Sequence, residues 1–297
     1  MPNAKLKNYL HLHFLVFIAG FTAILGELIS IGSVALVWYR MVIATIIMLL
    51  FVKFSNISLL KSPKTILKFS IAGVLIALHW ITFFESINQA NISIALAMFS
   101  TGAFFASLIE PLFFKRRIIW YEIVFGVIVI LGVLLITKTE FRYINGILLG
   151  ISSALFSTLF AVINGRFVVN HSASVISFYE FISGIICISI FLIFSQDGFN
   201  SDFFKLKNSD ILYLFILGSI CTAYAFIAAV YVMKLISPYT VVLTYNLEPI
   251  YGIILALILF PEKEQMSTQF YLGALLIIST VILNGIIKNR IKTKKIM

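Results

Sequence analysis

Charge is scarce in this chain. Only 11% of its 297 residues are Asp, Glu, Lys or Arg, less than half the share of an ordinary soluble domain. The 29 Phe could fill a large core, but too few charges remain to coat one. Cysteine is scarce as well. Cys187 and Cys221 both fall inside apolar stretches, which excludes a disulfide framework or a zinc cage and leaves them as small buried residues. Asp occurs only at positions 197, 202 and 210, and the histidines are His11, His13, His79 and His171. No H-E-x-x-H or acidic run joins them, so an intramembrane enzyme acting on lipid or peptide lacks its usual clustered groups and stands only as the alternative reading. The phosphate loop G-x-x-x-x-G-K-[ST] is missing, which argues against ATP hydrolysis. Neither a metal nor a cofactor is expected. The longest polar break, about residues 196–209, is too short for a folded sensor or scaffold domain.

What the chain has is a rhythm. Hydrophobic residues make up 61% of it and the mean hydropathy is +1.07. They fall into ten runs, 10–28, 33–52, 67–86, 91–113, 118–137, 144–164, 174–195, 210–232, 237–260 and 268–288. A helix of about 20 residues rises about 30 Å and spans the hydrocarbon core of a bilayer. The expectation is an all-α membrane protein with ten transmembrane helices. The first run follows Lys5 and Lys7 as a signal peptide would, but no A-x-A-like cleavage site follows, so it reads as an uncleaved first helix. The net charge of +10 does not imply a nucleic-acid partner, because the positive residues are spread through the short breaks. With the N-terminus in the cytoplasm, sixteen Lys and Arg fall inside and five outside (Lys138, Arg142, Lys205, Lys207 and Lys263), with Arg40 within a span. That bias predicts a multi-pass plasma (inner) membrane protein with both termini cytoplasmic.

The chain halves near residue 143, into 1–143 and 144–297. Trp38-Tyr39-Arg40 of the second span corresponds to Phe178-Tyr179-Glu180 of the seventh at an offset of 140 positions. Gly126 corresponds to Gly273, and Lys115 to Glu262, at an offset of 147. Each half holds five spans, an odd number, so the second copy inserts upside down. Two inverted five-helix repeats are an architecture of solute carriers.

Three motifs carry a resemblance over the whole chain. Arg40 ends Val37-Trp38-Tyr39-Arg40 in the second span. The fourth span runs Ser107-Leu108-Ile109-Glu110-Pro111-Leu112-Phe113-Phe114 into Lys115-Arg116. The ninth carries Leu247-Glu248-Pro249, with Glu262 thirteen positions after the Pro. In these the chain resembles the ten-helix EamA-like members of the drug/metabolite transporter superfamily. It departs from them at Lys115, where the first copy usually has Glu. The resemblance implies two inverted five-helix repeats around a central cavity, lined chiefly by spans one, three, four, six, eight and nine. It also implies export or exchange of a small metabolite, often an amino acid or related compound. Arg40 and Glu180, on spans two and seven, would then lie toward the outside of the cavity.

An intramembrane charge costs about 3 kcal/mol on insertion scales, so each needs a partner or water. Arg40 and Glu180 are read as structural or gating charges, paired with each other, with Glu27 or Glu85, or with backbone carbonyls. Direct ligation of a solute is the other reading. Pro249 removes a backbone donor one turn after Tyr245, which makes Tyr245, Asn246 and Glu248 a polar cluster beside a distortion at midplane depth. They contact either a solute or only each other. His79 either couples transport to protons or bonds a neighbouring span. Trp80 and Tyr224 are candidates to stack on a solute, and Ser100, Thr101 and Asn164 to offer it hydroxyl and amide groups. Small residues line one face of span six (Gly146, Gly150, Ser153, Ser157, Ala161), as tight packing or as a cavity wall. Glu110 caps its helix end with the basic turn, or gates it. Glu262 and Glu264 read as a solvated turn. Two copies already close a bundle, so a monomer suffices, and the oligomeric state stays open.

Overall fold

A computed structural model describes residues 2–115, 117, 119–195, 198–233, 244–245 and 247–294. Asn246 and the Ser237-Pro238 break lie outside the described residues. Among the described residues nine helices are long and apolar enough to cross a bilayer. They are spans 1 to 8, namely Leu6–Leu28, Ser33–Phe54, Pro63–Gln89, Ile92–Phe114, Trp120–Thr139, Phe141–Phe167, Ala173–Phe194 and Asn208–Ala229, and span 10, Thr268–Ile287. Glu248–Leu259 is the described helix of span 9. Span 3 starts four residues before its expected position. Ser62 accepts a hydrogen bond from the Thr65 amide at 3.3 Å and Pro63 fills the first turn, so the pair begins a helix rather than only stopping one.

Two lining helices are broken. Span 4 is helical over Ile92–Phe99 and Gly102–Phe114, with a turn at Ser100 and Thr101 between. Both hydroxyls donate back to the chain, Ser100 to the Leu96 carbonyl at 3.0 Å and Thr101 to that of Met98 at 2.7 Å. Such back-bonding competes with the helical ladder. Thr158 of span 6 donates to the Gly102 carbonyl at 3.2 Å. In span 9, Leu247 turns back to the Thr244 carbonyl before the helix restarts at Glu248, with Pro249 in its first turn. Span 8 carries a third irregularity, a π-turn over Ser219–Tyr224 between helices Asn208–Gly218 and Ala225–Met233.

The contacts at the span ends set the topology. At one end Ser30, between spans 1 and 2, gives its amide and hydroxyl to Asp210 at the start of span 8. Ser33 at the start of span 2 donates to Glu85 near the end of span 3, and Ser86 donates to the Gly146 carbonyl at the start of span 6. Lys263 pairs with Glu27, and Glu140 at the end of span 5 accepts from the Ser267 amide before span 10. Spans 1, 3 and 5 therefore finish where spans 6, 8 and 10 begin. The two five-helix repeats are inverted.

Span 3 packs on spans 6 and 7, and span 5 on span 10. Gly132 and Gly273 face each other across the last pair, each where a Cβ would strike the other's carbonyl, so only glycine allows the approach. Gly126, which the offset matched to Gly273, lies under the Phe104 ring instead. Large apolar side chains point outward along these two spans, including Val127, Leu131, Leu134, Leu272 and Leu275. In water they would form an unusually large apolar patch; against lipid they are the expected outer face.

Candidate functional site

A cavity of about 550 Å³ lies where the repeats meet, walled by spans 1, 2, 3, 4, 6, 7, 8 and 9. Its charged and polar lining includes Arg40, His79, Asn164, Glu180, Tyr245 and Glu248. Trp80, Phe83 and Phe226 supply much of the apolar wall. Toward the loop between spans 6 and 7 its lining reaches Val168 and Ala173.

Arg40 is 3% exposed. Its Nε donates to the Thr222 hydroxyl at 2.7 Å, and Thr222 passes its own proton to the Leu217 carbonyl five residues back. That i−5 bond belongs to the π-turn, which rotates Thr222 toward span 2. The guanidinium lies 3.9 Å from the Trp80 ring centroid, a cation–π contact. Its Nη1 has no hydrogen-bond partner. Among the described residues no carboxylate forms an ion pair with it: Glu85 accepts from Ser33 and Gln89, Glu27 pairs with Lys263, and Glu248 acts on Arg40 through space. The expected pairing of Arg40 with Glu180, Glu27 or Glu85 is therefore replaced by a hydroxyl and a ring. The expected position of spans 2 and 7 outside the cavity is corrected too. Both spans contribute their charged side chain to the cavity wall.

Glu180, at the corresponding position of the second repeat, lines the same cavity. Its Oε1 accepts from the Asn164 amide at 2.7 Å. Gly73 of span 3 presses against its backbone, where a Cβ would collide with the Glu180 carbonyl. Asn164 thus holds an acidic neighbour at the cavity wall.

His79 bonds span 6. Its Nδ1 lies 2.8 Å from the Ser153 hydroxyl and 3.1 Å from the Ser153 carbonyl, and Ser153 donates back to the His79 carbonyl. A carbonyl only accepts, so Nδ1 carries the proton. The small-residue face of span 6 therefore does both jobs. It packs at Gly146 and Ser153, and it opens onto the cavity at Ser157 and Ala161.

A second cavity of about 490 Å³ adjoins the first, sharing Phe99, Ser157, Ala161 and Tyr245. Ser100 and Glu110 line it. Thr101 lines neither cavity and is spent on the span 4 break. Tyr224 does not face a solute site. It is 39% exposed and hydrogen-bonded to His11 of span 1 at 2.8 Å, because the π-turn swings it outward. Asn246 lies outside the described residues.

Sequence reasoning missed Thr222, whose role needs the π-turn. It also misread Glu264, which is 1% exposed and accepts the Ile92 and Ser93 amides at 3.0 and 2.9 Å. Glu264 is a buried cap on the N-terminus of span 4, not a solvated turn.

A search among curated proteins finds no match. A solved structure, described only as a crystal structure of a protein, superposes with a TM-score of 0.64 over 94% of this chain and 97% of its own at 14% identity, which shows a shared fold. The model of the EamA-like transporter family matches residues 7–138 and again 144–286. Matched in both halves over most of its length, the chain belongs to the EamA-like transporter family and is an integral membrane transporter.

Proposed function

We propose that the protein is a secondary transporter that exports or exchanges a small metabolite, an amino acid or related compound, by alternating access of its two repeats, 1–143 and 144–297. The observation that carries this reading is the cavity between the repeats, whose largely aromatic and aliphatic wall also holds one cation and two carboxylates. Opposite charges set in such a wall suit a zwitterion with an apolar part. The polar contacts at the Ser30 end support a state closed there, and the cavity lining that reaches Val168 and Ala173 supports access from the other end. The Lys and Arg bias puts that other end, and both termini, in the cytoplasm of the plasma membrane. Protons are the candidate coupling ion.

The test is counterflow of labelled L-α-amino acids and related metabolites into proteoliposomes holding the purified full chain, with and without a pH gradient. Exchange above empty liposomes is expected for a subset. If no solute moves under either condition, this reading fails.

A further inference from the structure

Deepening that reading, and resting on it, we propose that Arg40 is the specificity-determining residue of the cavity. In this assignment the guanidinium takes a carboxylate of the cargo through its outer edge, while the cargo's cationic group turns toward Glu248 and Glu180. Three features of Arg40 converge on this. Its inner edge is used up, because Nε is fixed by Thr222 at 2.7 Å. One of its faces is taken, because Trp80 stacks on it at 3.9 Å. What remains is the outer fork, and there Nη1 has no hydrogen-bond partner although the side chain is 3% exposed. A buried charged donor left unfilled is costly, several times the cost of a neutral one. Protein interiors fill such groups unless something else does so in the working state.

An Arg serving only as a structural charge is expected to pair with an acidic residue. Here Glu180 is turned to Asn164, Glu85 to Ser33 and Gln89, and Glu27 to Lys263. Glu248 shares the cavity and attracts Arg40 through space, but among the described residues no ion-pair contact joins them. The planar guanidinium, held at one edge and one face, keeps its two terminal nitrogens for a partner, and their fork matches the two oxygens of a carboxylate. A lysine ammonium would offer charge but not that plane. The second observation is the separation of sign. The acidic groups Glu180 and Glu248 come from spans 7 and 9, and Arg40 from span 2, all on the one cavity of about 550 Å³. A carboxylate alone would leave Glu180 and Glu248 without a cationic partner from the cargo. A solute bearing both signs satisfies all three.

The test compares matched solutes on the unaltered protein, so it does not depend on a variant folding. Counterflow is measured for L-α-amino acids, their carboxamides and their decarboxylated amines. Among those that move, removing the carboxylate charge is expected to cut exchange by at least about 100-fold, since a site built to bond a polar group rejects the analogue lacking it. Arg40→Gln, checked for folding by size exclusion and thermal unfolding in detergent, should show the same loss for the acid and erase the acid-to-amide ratio. Arg40→Lys should recover part of the rate but not the ratio. Amides moving as well as acids, or Arg40→Gln keeping both rate and ratio, overturns the assignment and leaves the transporter reading standing. Cargo that moves but carries no carboxylate overturns it as well. Only a panel in which nothing moves removes the transporter reading and the assignment together.

Discussion

Arg40 and Glu180 stand at matching places in the two repeats, 140 positions apart, and they are held in different ways. Arg40 is pinned by side chains from other spans, Thr222 and Trp80, and its buried Nη1 has no hydrogen-bond partner. Glu180 is pinned from both sides. Asn164 holds its carboxylate, and Gly73 lets span 3 press on its backbone. Inverted duplication supplies two equivalent sites, and divergence has given them opposite sign and different freedom. One cavity thereby gains a polarity that two identical repeats could not produce.

The strongest way to break this contrast is at Gly73. Gly73→Val forces a side chain into the Glu180 backbone, and the two helices must part. Overpacking of this kind costs about 3 kcal/mol, and a fall in thermal unfolding temperature in detergent should report it. Gly32→Val is the comparison, because nothing lies within 4 Å of a Cβ there; it changes only the N-cap of span 2, and its unfolding temperature should fall far less. The next largest effect removes the sign alone. Glu180→Gln keeps an acceptor for Asn164 and so should fold normally, while amino-acid exchange drops about 10- to 100-fold, the worth of one charged hydrogen bond. Unchanged exchange would show that Glu180 only braces the wall. On the other side of the contrast, Thr222→Val frees the inner edge of Arg40 and deletes the i−5 bond. A loss near 1.4 kcal/mol, about tenfold in apparent KM, is expected if Thr222 orients the guanidinium; a change in kcat alone would point to the π-turn as a moving part instead.

The ten spans were legible because hydropathy and length decide them locally, without knowledge of any neighbour. The inversion was legible from an odd count. His79, Trp80, Asn164, Tyr245 and Glu248 line the cavity; polar side chains in a span have few other places to turn. Tyr224 failed for a specific reason. The π-turn adds a residue to the winding, which shifts the helix face by about 100°, and nothing in Ser219–Tyr224 announces it. Thr222 gained the inward face that Tyr224 lost. Glu264 failed for another reason. Its partners, the amides of Ile92 and Ser93, lie more than 170 positions away, and a cap supplied from the other repeat leaves no pattern beside the helix it caps.

That cap extends the contrast between the repeats to their helix ends. At the offset of 147 positions Glu264 falls on Arg117, which carries only donors and so could not cap a helix N-terminus. At the Ser30 end the second repeat reaches across to seal span 4 of the first, and the same chemistry is not available in reverse. Glu264→Gln keeps one acceptor but loses the charge against the helix dipole, so about 1 kcal/mol of stability should go, read again as thermal unfolding in detergent. Lys263→Ala is expected to do least. The Glu27 pair is well exposed on the lysine side, and such pairs contribute at most about 1 kcal/mol. Its value is diagnostic rather than energetic. If the Ser30 end is a gate, Lys263→Ala should leave the unfolding temperature near wild type yet raise labelling of a single cysteine placed at Ser33, in a background with Cys187 and Cys221 changed to Ser, by a membrane-impermeant thiol reagent in liposomes. Labelling that stays at the wild-type level would mean that the other contacts at this end, Asp210 with Ser30 and Glu264 with span 4, hold it shut without the ion pair.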